Sequence, residues 1–135
     1  MYLLDTNVLL ELLLEQEHSN DVERLFTVIP ADQLFITDFA LYSVGIILFR
    51  RQRGSIFVRV VEDLLLEADV RLVRLNPADM RPVERVASRF QLDFDDAYQY
   101  VAAQEYGLTL VSFDSDFDRT ELGRKTPAEI LAATQ

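Results

Sequence analysis

Aspartates stand where the chain changes pattern. Asp5 ends the apolar run Tyr2-Leu3-Leu4, Asp38 follows Leu34-Phe35-Ile36-Thr37, and Asp114 lies just beyond Leu108-Thr109-Leu110-Val111-Ser112. Asp93, Asp95 and Asp96 open the helical pattern that leads into that last run. Like charges brought together repel, and ionised carboxylates stay close mainly around a cation. Hard oxygen ligands without histidine or cysteine select Mg²⁺ or Mn²⁺ over zinc or copper. The chain has no cysteine and one histidine, which excludes thiol nucleophiles, zinc–thiolate centres and multi-histidine sites. An acidic cluster of this kind is a candidate magnesium site.

Each acid also has a structural role open to it. Asp93 is expected to cap its helix with Asp96 at N3, where acids suit the helix dipole. Asp96 shares a mixed, half-buried face with Gln99, Tyr100 and Ala103. Thr6 or Asn7 is expected to cap the first helix, while Asp5, behind three apolar strand residues, needs a partner and favours a site role. Asp114-Ser115-Asp116-Phe117-Asp118 opens like a calcium-binding hand. Arg119 then stands where that loop requires glycine and Lys125 where it requires glutamate, so the hand fails. His18, the sole candidate imidazole base, falls in the polar stretch Glu15-Gln16-Glu17-His18-Ser19-Asn20 and is expected to be a solvated junction residue.

The acids must be positioned by the elements around them. Tyr2-Leu3-Leu4, residues 34–37, 70–75 and 108–112 read as strands. From Thr6, Val8, Leu9, Leu12 and Leu13 recur at helical spacing, and Val22, Leu25, Phe26 and Ile29 give a second helix stopped near Pro30. Asp38 to about Arg53 is an apolar helix with a basic end and Gly54 as its stop. Ile56 to Glu67 is amphipathic, and Pro77 to Phe90 is helical with Arg81, Arg85 and Arg89 on one face. Phe94 to Tyr106 is helical with Gly107 as its stop. Thr126-Pro127-Ala128-Glu129 supplies a cap, an N1 proline and an N3 glutamate for a final helix. Strands alternating with helices predict an α/β fold with a mainly parallel sheet covered on both faces. Ligands in such sheets bind beyond the carboxyl ends of the strands, which gives the acids one place.

The length of 135 residues predicts one domain spanning 1–135, and 50% apolar with 27% charged residues predicts an ordinary soluble globule. The formal charge of −10 excludes a domain with a broad basic face. Its distribution qualifies that exclusion. Asp93 to Asp118 carries −7 with no Arg, Lys or His, while arginines 50, 51, 53, 81, 85 and 89 lie elsewhere. Nucleic acid approached through bound divalent metal therefore remains compatible with the charge. No apolar run reaches the roughly 18 residues of a spanning helix. The start has no basic n-region, so the expected location is cytoplasmic, with no membrane association.

At three places the sequence resembles a PIN domain of the VapC toxin type. They are Leu3-Leu4-Asp5-Thr6-Asn7-Val8-Leu9-Leu10, Asp96-Ala97-Tyr98-Gln99-Tyr100-Val101-Ala102-Ala103 and Leu110-Val111-Ser112-Phe113-Asp114-Ser115-Asp116-Phe117. The resemblance implies a three-layer α/β/α sandwich with a mainly parallel central sheet and metal-dependent cleavage of RNA. It carries over Asp5, Asp96 and Asp114 as catalytic Mg²⁺ (or Mn²⁺) ligands, with Asn7 and Ser112 in supporting positions. The acid that the family has in the helix after the second strand falls here on Ser43, a weak neutral ligand. Asp38 sits five residues earlier, about 140° around the helix. Asp116 is a possible supporting ligand, and Arg50 either contacts phosphate or forms a solvated helix end with Arg51 and Arg53.

The resemblance also implies a small antitoxin partner and a homodimer, with Leu9, Leu12, Leu13, Ile46 and Phe49 serving either as such surfaces or as core. The alternative within the family is a degenerate PIN domain that binds RNA or a protein without cleaving. A phosphoacceptor receiver is disfavoured, because the first strand starts at Tyr2 and Lys125 is the only lysine. An aspartyl-nucleophile phosphatase would need an acid where Asn7 stands.

Overall fold

The computed structural model describes residues 1–134. Four strands, β1 (Tyr2–Leu4), β2 (Leu34–Thr37), β3 (Arg71–Val73) and β4 (Thr109–Val111), form one sheet in the order β3-β2-β1-β4. Every pairing is parallel, with Leu3 opposite both Phe35 and Leu110. β1 and β2 coincide with the apolar runs read as strands, whereas β3 and β4 cover only part of residues 70–75 and 108–112. Beyond β4 the segment at Lys125 bridges to Val111, so that side of the sheet is covered.

Seven α-helices are found among the described residues: α1 (Thr6–Leu13), α2 (Ser19–Val28), α3 (Asp38–Arg50), α4 (Gly54–Val60), α5 (Met80–Phe90), α6 (Phe94–Tyr106) and α7 (Pro127–Ala133). Alternate strand residues point to opposite faces. Leu3, Phe35, Val73 and Leu110 therefore pack with α5 and α6 on one face. Leu4, Leu34, Ile36 and Val111 pack with α1, α2, α3 and α7 on the other. This is the three-layer, parallel α/β/α arrangement expected from the sequence.

Two helix boundaries differ from the sequence reading. Gly54 does not stop α3. The chain turns at Gln52, which takes a left-handed φ of 58°, and Gly54 opens α4 with the Phe49 ring 3.2 Å from where a Cβ would stand. The amphipathic run also changes hydrogen-bonding pattern partway: α4 passes into a π-helix over Val61–Glu67. Apolar period alone does not separate these two states. No helix among the described residues is long and apolar enough to cross a membrane.

Candidate metal centre

The carboxyl ends of β1, β2 and β4 and the first turn of α6 meet at one end of the sheet. Asp5 is the first residue beyond β1. Its Oδ1 accepts the Thr6 backbone N–H at 2.8 Å, so Asp5 itself caps α1 in place of Thr6 or Asn7. Its side chain is almost wholly buried. Ser112 Oγ donates to Asp5 Oδ2 at 2.8 Å and Gln99 Nε2 donates to Oδ1 at 3.1 Å. Burial pushes the Asp5 carboxyl above its ordinary value; bonds from Ser112, Gln99 and Thr6 pull it back, and the charge of Asp114 raises it further.

Gln99 is oriented in turn by Thr37. The Thr37 hydroxyl accepts from Ala40 N–H at 2.9 Å, which caps α3, and gives its one proton to Gln99 Oε1 at 2.6 Å. That leaves the Gln99 amino group for Asp5. A continuous buried chain thus joins the starts of α3 and α1 through the middle of α6.

Ser112 organises the other side. Its hydroxyl accepts from Asn7 Nδ2 at 3.2 Å and from the Asp114 backbone N–H at 3.0 Å. Asn7 Oδ1 accepts the Phe113 N–H at 3.2 Å, so α1 and the loop after β4 are tied together twice. Asp114 then opens a 3₁₀ turn (Ser115–Arg119), accepting the Asp116 N–H at 2.9 Å.

Asp96, Asp114 and Asp116 each offer a carboxylate oxygen within 4.8 Å of the other two. An octahedral ion with bonds of about 2.1 Å places its ligand oxygens about 3–4 Å apart. The three therefore need only a small adjustment to share one ion. Asp96 is pushed up to about 7, first by burial and then by the charges of Asp114, Asp5, Asp93 and Asp116. Every one of those influences opposes ionisation of Asp96, and among the described residues neither Asp96 nor Asp114 has an ion pair. Arg119 pairs with Asp116 at 3.0 Å but spends its other donors on the carbonyls of Phe90 and Gln91. An all-oxygen set of three carboxylates with a single cationic partner fits a hard divalent cation.

A cavity of about 370 Å³ opens beside these acids, lined in part by Asp5, Asn7, Phe39, Ser43, Asp95 and Asp96. Ser43 thus reaches the acidic cavity as a neutral hydroxyl. Asp38 is engaged elsewhere: its Oδ1 accepts from Tyr98 Oη at 2.7 Å. Burial and that carboxylate raise the Tyr98 phenol to about 12. Asp93 occupies the N-cap position of α6 without a side-chain cap bond. Arg50 is exposed in the last turn of α3, outside the cavity wall.

Of the residues expected at the site, Asp5, Asn7, Asp96, Ser112, Asp114 and Asp116 form one connected group. Gln99 and Thr37 were not expected in it. Their only sequence signal is that polar residues occur at otherwise apolar positions.

A PIN domain family profile matches residues 2–122. No curated protein matches the chain. Among solved structures, a toxin–antitoxin complex from Klebsiella pneumoniae is similar, with a TM-score of 0.75 and 19% identity over 94% of this chain and 98% of that one. VapC20 of Mycobacterium tuberculosis, described as a sarcin-ricin loop cleaving toxin, gives a TM-score of 0.76 and 18% identity, covering 90% and 96% of the two chains. VapBC-1 of nontypeable Haemophilus influenzae gives 0.71 and 20% identity over 94% and 98%. At these identities the likeness is one of fold.

Proposed function

The chain belongs to the PIN domain family, and from that premise we propose that it is a divalent-metal-dependent endoribonuclease, the toxin of a toxin–antitoxin pair. The observation that carries this reading is the convergence of Asp96, Asp114 and Asp116 beside a cavity whose wall includes Asp5. Asp5, Asp96 and Asp114 would hold Mg²⁺ or Mn²⁺, with Asp116 in support. Such an ion polarises a phosphate oxygen and makes bound water more acidic.

The chain's own residues prepare that site. Ser112, Gln99 and the Thr6 amide fix Asp5 without neutralising it. Asn7 and Ser112 hold the loop that bears Asp114. Ser43 leaves one side of the cavity uncharged, which lowers the repulsion that a scissile phosphate meets there. Arg50, with no ion pair among the described residues, is the proposed phosphate contact at the edge.

Two structural neighbours are described as toxin–antitoxin or VapBC assemblies, and an unpartnered face of α3 supports a partner here. Tyr42, Ile46 and Phe49 are each more than half exposed, whereas Leu9 is buried and Leu12 and Leu13 pack on the core. The proposal assigns the α3 face to an antitoxin or to a second copy of the chain, in the cytoplasm.

The test is cleavage of labelled RNA in Mg²⁺ by the wild type and by Asp5→Asn and Asp96→Asn. Loss of cleavage in both variants, and in chelator, is expected. Unimpaired cleavage by either variant overturns the mechanism. The second reading, binding without cleavage, is favoured by Ser43 alone and is distinguished by a wild type that binds RNA but leaves it intact.

A further inference from the structure

Two groups of aromatic rings stand at the same end of the sheet as the acids. The first is Phe39, Phe94 and Tyr98. Their ring centroids lie 5.5–6.0 Å apart in tilted and edge-on pairs. Phe39 lines the acidic cavity and packs on the α5–α6 side of the sheet. Phe94, two residues before Asp96, is 52% exposed. Tyr98 is held rigidly, donating to Asp38 and accepting the Leu75 N–H. The ring of Phe94 therefore rests on a fixed base with much of its surface open.

The second group is His18 and Phe113. Their rings stack with centroids 5.0 Å apart and planes 20° from parallel. Phe113 directly precedes Asp114, is tied to Asn7 by its backbone, and packs on the opposite side of the sheet. His18 is exposed, so its outer ring face is open. Its backbone N–H is anchored to Glu11. His18 is the exposed residue between α1 and α2 that the sequence suggests, and its ring also lies flat on the residue next to a candidate ligand.

The strand order places these groups on either side of Asp5. Phe39 follows β2 and Phe113 follows β4, while Asp5 follows β1 between them. A phosphate held at the acids would have one open ring to each side. We propose that Phe94 and His18 are the stacking platforms for the two nucleobases flanking that phosphate, one ring to each side. Stacking on aromatic planes is how proteins take up bases that are free of a duplex, and bases in a helix reach such rings only after paying to unpair and unstack. The exposed α3 face of Tyr42, Ile46 and Phe49 lies on one helix rather than to either side of Asp5, and is left to a protein partner. The inference rests on the RNA reading above.

The experiment measures binding in Ca²⁺, with a single-stranded oligoribonucleotide carrying 2-aminopurine, whose fluorescence falls on stacking, and with the same sequence as a blunt duplex. The wild type is expected to quench the single strand and to bind the duplex at least about tenfold more weakly. His18→Ala and Phe94→Ala, both at exposed positions, are each expected to weaken single-strand binding about tenfold and to reduce the quench. His18→Phe restores both. Wild-type binding and quenching by either alanine variant overturns the proposal and assigns that ring to a protein contact. Equal affinity for the duplex, or no RNA binding by the wild type, overturns it as well. A wild type that binds and quenches the single strand yet leaves it intact in Mg²⁺ supports the stacking inference and defeats the cleavage reading separately.

Discussion

The hydroxyl of Ser112 donates to Asp5 Oδ2 at 2.8 Å across 107 residues of sequence. That bond joins the ends of two neighbouring strands, β1 and β4, and fixes the buried carboxylate. Ser112→Ala removes the donor and leaves Asp5 Oδ2 without a partner, at a cost of about 1–3 kcal/mol. The Asp5 carboxyl is expected to rise further above its ordinary value, since Ser112 is the largest influence lowering it. Urea denaturation at neutral pH measures the first effect and the pH dependence of Mg²⁺ binding the second. An unchanged midpoint would show that the bond is not needed for stability.

Asp96 makes metal-free stability depend on pH. Its folded value of about 7 lies above the unfolded value of about 4. Folding therefore favours the protonated form. The favourable contribution is full below about pH 4 and disappears as pH rises through 7. In chelator, the denaturation midpoint is expected to fall between pH 5 and pH 8. Asp96→Asn flattens that dependence while abolishing metal-dependent activity, and Mg²⁺ restores the wild type at the higher pH. A midpoint independent of pH in chelator would refute the assignment.

Ser43→Glu places a fourth acid on the cavity wall. Ligand charge sets affinity in oxygen sites, so Mg²⁺ is expected to bind about tenfold more tightly. The same variant is expected to lose metal-free stability at neutral pH, because one more carboxylate joins acids that already repel one another. Calorimetric titration with Mg²⁺ checks the first and chelator denaturation the second. A rise in cleavage alongside affinity would show that serine limits the natural protein.

Gln99→Leu keeps the side-chain volume but breaks the chain from Thr37 to Asp5. The Thr37 hydroxyl loses its acceptor and Asp5 Oδ1 retains only the Thr6 amide. Destabilisation of about 1–3 kcal/mol is expected, with weaker metal binding. Gln99→Glu tests orientation separately: it keeps the acceptor for Thr37 but puts a second carboxylate oxygen against Asp5, and is expected to be worse than leucine above neutral pH.

Much of this arrangement was legible in the sequence because it follows from local pattern. Apolar runs ending in aspartate located Asp5 and Asp114, and Thr126-Pro127-Ala128-Glu129 announced α7, whose capping box is present. What escaped depends on how elements register against one another. Gln99 reads as one polar residue in a helix until α6 is laid across β1 and β2. The cap of α1 fell to Asp5 because three successive residues could each serve, and only the strand end decides among them. The His18–Phe113 stack pairs residues 95 positions apart, with no local signal at either. Asp116 was expected in support, but the 3₁₀ turn after Asp114 that brings it toward Asp96 is a bend that aspartate alternation does not specify.

The sheet order β3-β2-β1-β4 makes the first strand wait for the last. During synthesis, β1, β2 and β3 can assemble while residues 109–118 are still within the ribosome. Until β4 docks, Asp5 lacks Ser112, and neither Asp114 nor Asp116 is present beside Asp96. A nascent or truncated chain therefore has no assembled acid cluster. A chain of this topology reaches competence only once β4 has docked beside β1.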